Sequence, residues 1–552
     1  MKLAEAGKIA DYRARGWWDA DTIDDVFQRR VAENPQALSI VDPPNRTSLD
    51  GSAPQRLTWA ELDALADRMA TALIAAGVGE DGIVAVQMHN IAELVAAYFA
   101  VARIGAIIAP FPMQYREHEL RQLCEFIEPS VFIVNGVSEP AVRAALRSTA
   151  PILPVAAIAT AMANTDALAK RRAQGRRSAD DIVTLCFTSG TTGKPKAVPR
   201  SHNEWFSIAL GTIDGAALKP GARMLNPFPL VNMAGIGGMI VPWLMLGGVL
   251  INHHPLDLPV FLGQIQTEKP VYTVAPPALL SMLLMNDALL SKFDVSSLMA
   301  IGSGSSPLPP SMVRGWSNRG IPVTNLFGSN EGVCLISGID DFPDPEKRAE
   351  FFPRFGAGEY VWKARVAQMQ WTKLVDIETG ETIEQPGRRG ELLVKGAMVF
   401  SGYWKNPEAN AAAFDREGFF RTGDLFEIAE DADGAPRYYR FVGRAKDLII
   451  RGGMNIAPEE IEGLLGAHPM IAEVAVVGYP DPVMGEKVRA VVAPRGDAKP
   501  TLDDVVSFLD ARKVAKFKFP ERLDVVAALP RNAVGKILKY QLRAELKHEP
   551  SS

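Results

Sequence analysis

The densest chemistry in the sequence lies at 188–196, TSGTTGKPK, where small hydroxyls and glycines precede two lysines directly after the apolar run 182–187. Gly190 and Gly193 permit backbone conformations that a Cβ forbids, so successive N–H groups can converge on one concavity. The hydroxyls of Thr188, Ser189, Thr191 and Thr192 and the charges of Lys194 and Lys196 would stand at its rim. A polyphosphate is the natural occupant. The loop is not the P-loop of ATPases, which needs Gly where Thr188 stands and Ser or Thr where Pro195 stands.

This loop is similar to the signature loop of the adenylate-forming superfamily, which holds acyl-CoA synthetases, stand-alone adenylation enzymes and firefly luciferase. Four further motifs follow in that family's order. NLFGSNEG at 325–332 resembles YGxTE with two substitutions. Phe327 replaces Tyr and keeps an aromatic face for adenine, whereas Asn330 replaces the Thr usually found near the phosphates. Glu331 is retained, and Mg²⁺, a hard cation, takes one or two protein carboxylates with phosphate oxygens. FRTGD at 420–424 resembles YRTGD, which makes Asp424 the ligand for the ribose hydroxyls, because a carboxylate can accept two hydrogen bonds at once. GRAKDLIIRGGMNIAPEEIE at 443–462 is close to GRxKDxIxxGGxxIxPxEIE. The match gives Arg444 to ribose or phosphate, Asp447 to an interdomain hinge, and Gly452, Gly453 and Met454 to the tunnel for a thiol. LPRNAVGKIL at 529–538 places Lys536 at the family's catalytic lysine.

Two weaker matches complete the implied site. AIGSGSSPL at 300–308 looks like the adenine-binding turn, with Gly304, Ser305 and Ser306 bordering nucleotide and acid, and Ser303 on the acid side. FPLVNMAGIGG at 228–238 stands where the family usually reads PLFH before a pocket-lining helix, so Asn232 occupies a common histidine position. An amide can hydrogen-bond an acid's substituents but cannot carry a proton as imidazole does. Met233 and Gly237 complete the implied acyl pocket. The resemblance thus assigns Lys536, Glu331 and Thr188 to catalysis. It assigns 188–194, Lys196, Gly304, Ser305, Ser306, Asn325, Phe327, Gly328, Ser329, Asn330, Asp424, Arg444 and Lys536 to the nucleotide, and Glu331 to the metal.

Composition sets the bounds on these readings. The 552 residues carry a net charge of −5 with 22% charged and 47% hydrophobic residues, ordinary for a globular enzyme and contrary to a nucleic-acid scaffold. Cys124, Cys186 and Cys334 are few and far apart, which suits a reducing cytoplasm and no disulfide framework. The first 18 residues lack the apolar core of a signal peptide, so export is not expected. The stretch 233–251 is uncharged and long enough to span a membrane, but Pro242 and five glycines punctuate it. A buried helix running into a core strand at 249–252 is the expectation.

The elements that must position these groups are legible as alternating patterns. Apolar residues recur every three or four positions over 57–76, after Thr58 with Glu61 three residues on, the signature of a capped helix. Residues 83–87 and 107–110 read as strands around a helix at 92–106. The expected fold is α/β: a large N-terminal domain over 1–446 with a β-rich, barrel-like subdomain at about 351–440, in which 380–396 reads as a hairpin. A small mobile α+β domain over 447–552 follows, with a helix from 458, strands at 474–478 and 488–494 and a helix at 502–512.

The resemblance implies an ATP-dependent carboxylic acid–CoA ligase. The acid becomes an acyl-adenylate with release of pyrophosphate, and the C-terminal domain then turns to bring a thiol to the same cleft. ATP, Mg²⁺ and CoA are the implied cofactors, and the acid is aryl, alicyclic or medium-chain. YRARGWW at 12–18, MGEK at 484–487 and KFKFPER at 516–522 look closest to the branch that also holds 2,3-dihydroxybenzoate–AMP ligases. An enzyme loading a phosphopantetheinyl carrier protein is therefore the alternative. CoA is favoured because no carrier domain accompanies the motifs. A nucleotide-binding protein without turnover, suggested by Asn232 and Asn330, and a membrane protein resting on 233–251 are the other rivals. Oligomeric state is open, a homodimer included.

Overall fold

The computed structural model describes residues 1–146, 149–159, 162–174, 177–188, 196–305, 307–358, 360–377, 379–444, 449–456, 458–530, 537 and 539–544. Two mostly parallel sheets carry the N-terminal domain. In the first, of six strands, Ile83–Gln87 lies between Ile107–Pro110 and Val131–Val134, all fully buried and parallel. Continuous runs of β-branched residues suit strands covered on both faces. Ile182–Thr188 joins parallel to Ile107–Pro110 and pairs antiparallel with the edge strand Lys196–Ser201. The register sets Thr188 opposite Lys196, so both ends of the phosphate loop leave the sheet at one point.

The second sheet has eight strands. Its centre is parallel, running through Val249–Asn252, Arg223–Asn226, Tyr272–Val274, Ala300–Gly304 and Val323–Gly328. Antiparallel Cys334–Ser337 closes one edge. In such sheets ligands bind beyond the carboxyl ends of the strands. The glycine and serine turn after Gly304 and the acidic turn after Gly328 both emerge there.

The helices form where the patterns place them. Trp59–Ala75 starts on Thr58, whose hydroxyl accepts from the Glu61 N–H while the Glu61 carboxylate accepts from the Thr58 N–H. Ala92–Arg103 is buried along its whole length. The uncharged stretch is a helix over 233–246, with a π turn at Ile236–Ile240, followed by the buried strand Val249–Asn252. Among the described residues no helix is long and apolar enough to cross a membrane.

The β-rich subdomain is a six-stranded antiparallel sheet. One expectation is corrected here. Thr382–Ile383 and Arg389–Gly396 do not pair with each other as a hairpin; they flank Gln370–Val375 on opposite sides. The alternation of 389–396 finds its partners in two longer strands, Gln370–Val375 and Phe420–Ala429, which offer more ladder than a two-residue strand can.

The C-terminal region has its own core and its own five-stranded sheet, in which Ile471–Asp481 pairs with Gly485–Pro494. Helices Pro458–Leu465 and Leu502–Ala511 contribute Ile461, Leu465, Val505 and Leu509 to that core. The observed strands extend the expected ones at both ends of the hairpin. A separate hydrophobic core is the hallmark of a domain.

Candidate functional site

A cavity of about 340 Å³ lies beyond the strand ends of the eight-stranded sheet, within the range of small-molecule sites. Its lining includes the apolar side chains of Ile208, Met233, Val274, Leu326, Cys334 and Ile336. Asn325, Phe327, Phe352, Arg440 and Phe441 line it as well. Ring centroids of Phe352, Phe426 and Phe441 lie 5.0–5.9 Å from Phe327, so a fixed aromatic wall borders the space expected for a purine.

The turn after Ala300–Gly304 takes the shape the sequence suggests. Gly304 and Ser305 line the cavity, and Ser305 adopts φ +69°, an uncommon conformation for a residue other than glycine. Ser303 is buried and donates its hydroxyl to the Ala275 carbonyl at 2.8 Å, so its one O–H is spent on the neighbouring strand end. Asn325 likewise donates to the Ala349 carbonyl at 2.8 Å.

Glu331 is buried, and its position is fixed from three sides. Its carbonyl accepts from the Phe400 N–H at 2.9 Å, and its Oε1 accepts from the Tyr403 hydroxyl at 3.0 Å. Gly332 has φ +100°, and a Cβ there would stand 1.9 Å from the Met398 carbonyl oxygen, so only glycine fits the turn. Burial first, then the Glu331 charge, push the Tyr403 phenol far above its ordinary range, so it stays a donor. The ammonium of Lys196 sits 4.5 Å from the centre of the Tyr403 ring. Tyr403 thus joins the last lysine of the phosphate loop to the acidic turn. A carboxylate with one oxygen engaged retains lone pairs for a cation. Among the described residues no group of three or more His, Cys, Asp or Glu side chains is placed to hold a metal ion.

Thr188 ends its strand half-buried beside this cluster, whereas 189–194 lie outside the described residues, as do Ser306, Asp447 and Lys536. Asp424 and Arg444 face each other across neighbouring strands of the β-rich sheet; of Arg444 only the backbone is described. Gly328 lines the cavity, and Ser329 donates its N–H to Val333 O at 3.2 Å to close the acidic turn. The Asn232 side chain accepts from the N–H groups of Ala234 and Gly235, so it caps the following helix. A Cβ on Gly237 would lie 2.6 Å from Ile208 Cγ2, so this glycine serves helix packing, and Gly238 is the one that faces the cavity.

The C-terminal domain reaches the same cavity. Ile450 lines it, and the turn Gly452, Gly453, Met454 links the antiparallel strands Ile449–Arg451 and Met454–Ile456. Both glycines have positive φ, and a Cβ on Gly453 would lie 3.8 Å from the Ser305 Cβ. The domain is held there by a charged seam. Glu119 Oε1 accepts from the Ala515 N–H at 2.8 Å and lies 3.5 Å from the Lys518 ammonium, which pairs with Glu460 at 2.8 Å. Burial works against the Lys518 charge, but Glu460 and Glu119 outweigh it and hold the ammonium above its ordinary range.

Sequence reading missed Tyr403, the Lys518 seam and most of the apolar lining. The GYW run at 402–404 was the available signal for the first and KFKFPER for the second. Cys334 bears on the acid's pocket in sequence as well, whereas Ile208 and Ile336 come from a helix and a strand that only packing brings together.

Comparison with known proteins agrees with this geometry. The AMP-binding enzyme family model matches residues 27–404, and the AMP-binding enzyme C-terminal domain model matches 460–536. The chain is 34% identical over 502 residues to an indoleacetate–CoA ligase of Aromatoleum aromaticum, covering 89% of this chain and 93% of the relative. It is 28% identical over 548 residues to a 2,3-dihydroxybenzoate–AMP ligase of Bacillus subtilis, covering 96% and 95%. In fold it resembles an o-succinylbenzoate CoA synthetase of Bacillus subtilis, with a TM-score of 0.78 at 24% identity over 95% of this chain and 99% of that one. With both of its characteristic domains matched in order, the chain belongs to the AMP-binding, adenylate-forming enzyme family.

Proposed function

We propose that this protein is an ATP-dependent carboxylic acid–CoA ligase. A carboxylate is a poor electrophile. Converting it to an acyl-adenylate supplies a good leaving group, and catalysis is then chiefly positioning and charge stabilisation. The loop 188–196 and Glu331 would hold the phosphates and Mg²⁺, Phe327 the adenine, and Asp424 and Arg444 the ribose. Lys536 would neutralise charge at the reacting carboxylate. The apolar lining around Ile208, Val274 and Ile336 would take the acid's body.

The observation that carries this reading is a chain of contacts around one cavity: Phe327 and Gly328 line it and lead into the acidic turn, Tyr403 links Glu331 to Lys196 at the end of the phosphate loop, and the glycine turn of the C-terminal domain meets the lining residue Ser305. That last contact, Gly453 beside Ser305, supports an arrangement in which the thiol enters, after Lys536 has withdrawn about the hinge at Asp447. CoA as acceptor is supported by the identity to an indoleacetate–CoA ligase. A phosphopantetheinyl carrier protein is the second reading, favoured by the dihydroxybenzoate relative. A cytoplasmic setting suits three thiols that are all buried and free.

The test is pyrophosphate release from MgATP across a panel of indoleacetate, ferulate, 2,3-dihydroxybenzoate, benzoate, cyclohexanecarboxylate and octanoate, with and without CoA. Acid-dependent release with formation of an acyl-CoA supports the proposal. Release without transfer to CoA, but with transfer to a phosphopantetheinyl protein, would replace it by the second reading.

A further inference from the structure

Asn330 departs from the family's usual threonine, and its surroundings give the amide a definite task. Its Oδ1 accepts from the backbone N–H of Met233 at 2.8 Å, and its Nδ2 donates to the backbone carbonyl of Phe187 at 3.2 Å. Only one orientation of the amide satisfies both, since a backbone N–H cannot accept and a carbonyl cannot donate. The two partners belong to the two halves of the site. Phe187 immediately precedes Thr188 and the phosphate loop, whereas Met233 lines the cavity and begins the helix beside it.

The capping pattern at that helix is divided accordingly. Asn232 satisfies the N–H groups of Ala234 and Gly235, and the first N–H, that of Met233, is tied to Asn330 of the acidic turn. Met233 is held from below as well, because its Cε stands 2.5 Å from where a Cβ on Gly328 would be. A ligand that presses on Met233 therefore acts on the acidic turn directly, through Gly328 and Asn330. The residue after Asn330 is Glu331.

We infer that Asn330 is a positioning residue that couples the acid site to the nucleotide site, so that occupation of either one orders the backbone of the other. This rests on the ligase reading, in which both ligands share the cavity. Such coupling is reciprocal and lies in binding itself, not in the chemical step. It predicts ordered synergy between acid and ATP, and it gives the substituted position a role that the phosphate contact of the family's threonine does not describe.

The experiment measures binding of a non-hydrolysable α,β-methylene ATP by calorimetry, with and without the panel acid that supports the fastest pyrophosphate release. The parent chain should bind the analogue about fivefold or more tightly when the acid is present, within the usual range of coupling between sites. Asn330→Ala removes both bonds, and the isosteric Asn330→Asp keeps the acceptor for Met233 but loses the donor to Phe187. In both variants the ratio should fall to about one, whatever the change in affinity for each ligand alone, since Asn330 stands on the nucleotide side and the aspartate adds a charge there. A purely structural role would lower melting temperature and leave the ratio intact, which would overturn the inference. A ratio of one in the parent chain would overturn it as well. Failure of the parent chain to bind the nucleotide analogue at all would sink the ligase reading itself and the coupling with it.

Discussion

Glu331 and Lys518 are both buried charged side chains, at 8% and 6% exposure, yet they are held in different ways. Glu331 sits entirely within the N-terminal domain, fixed by a neutral phenol, a backbone N–H and a glycine turn. Lys518 sits between two carboxylates from different domains, Glu119 from the N-terminal domain and Glu460 from its own. The first arrangement has nothing to release when the domains move. The second must come apart, and parting a buried ion pair exposes or strands charge, so it both stabilises one arrangement and makes leaving it costly. The contrast assigns the acidic turn to both half-reactions and the seam to one.

The predictions bear on that division, beginning with the largest effect. Lys536→Ala should lower acyl-adenylate formation about a hundredfold or more, the usual cost of removing a group that stabilises developing charge. Thioester formation from supplied acyl-adenylate should persist, as single-turnover assays of each half-reaction would show. Lys518→Met leaves Glu119 and Glu460 facing each other and should slow thioester formation on the order of 30-fold, with adenylation little changed. If adenylation suffers equally, the seam is a structural joint and not the mark of one arrangement. Tyr403→Phe removes the donor to Glu331 and should slow adenylation about tenfold, since a hydrogen bond to a charged group is worth roughly 1.5–3 kcal/mol. Its effect should appear with MgATP as the varied substrate, and weaker binding of Mn²⁺ in the presence of the ATP analogue, read by electron paramagnetic resonance, gives an independent measure.

The smallest effect concerns stability. His202 opens the helix His202–Gly215, which supplies Ile208 and Thr212 to the cavity, and its Nδ1 accepts from the Ile23 N–H. Burial pulls the His202 pKa down to about 3, only partly opposed by Asp25. The unfolded chain therefore binds this proton first as pH falls below about 6.5, and stability declines by up to about 1.4 kcal/mol per pH unit until pH approaches 3. Thermal melting should drop between pH 6.5 and 4, and His202→Asn should flatten that slope. A melting temperature that is flat over this window would show that the helix tolerates the charged imidazole.

Much of the fold was readable because local rules and tertiary packing agree. The capped helix after Thr58, the buried strands Ile83–Gln87 and Ile107–Pro110, and the helix and strand within 233–252 all follow from periodicity and punctuation. The segment 380–396 misled because alternation reports a half-buried strand but not its partner, and a longer neighbour outcompeted the local one. The nucleotide side is marked in the sequence by motifs in a fixed order, because there the chemistry would be carried by side chains close in sequence. The acyl side was less legible. Gly237 reads the same whether it faces a ligand or a helix, and Ile208 meets the strand pair Cys334 and Ile336 only through packing. Asn330 shows the limit most clearly, since its departure from the family pattern signalled a loss, and only the geometry shows what the amide holds.

The account depends on a reversible adenylation step catalysed at the cavity beside Glu331. Isotope exchange between labelled pyrophosphate and ATP, run without CoA and in the presence of each panel acid, tests that step alone. Label entering ATP only when an acid is present, and lost in Glu331→Gln, is the predicted result. Exchange with no acid, or with none of the acids on the panel, would contradict it.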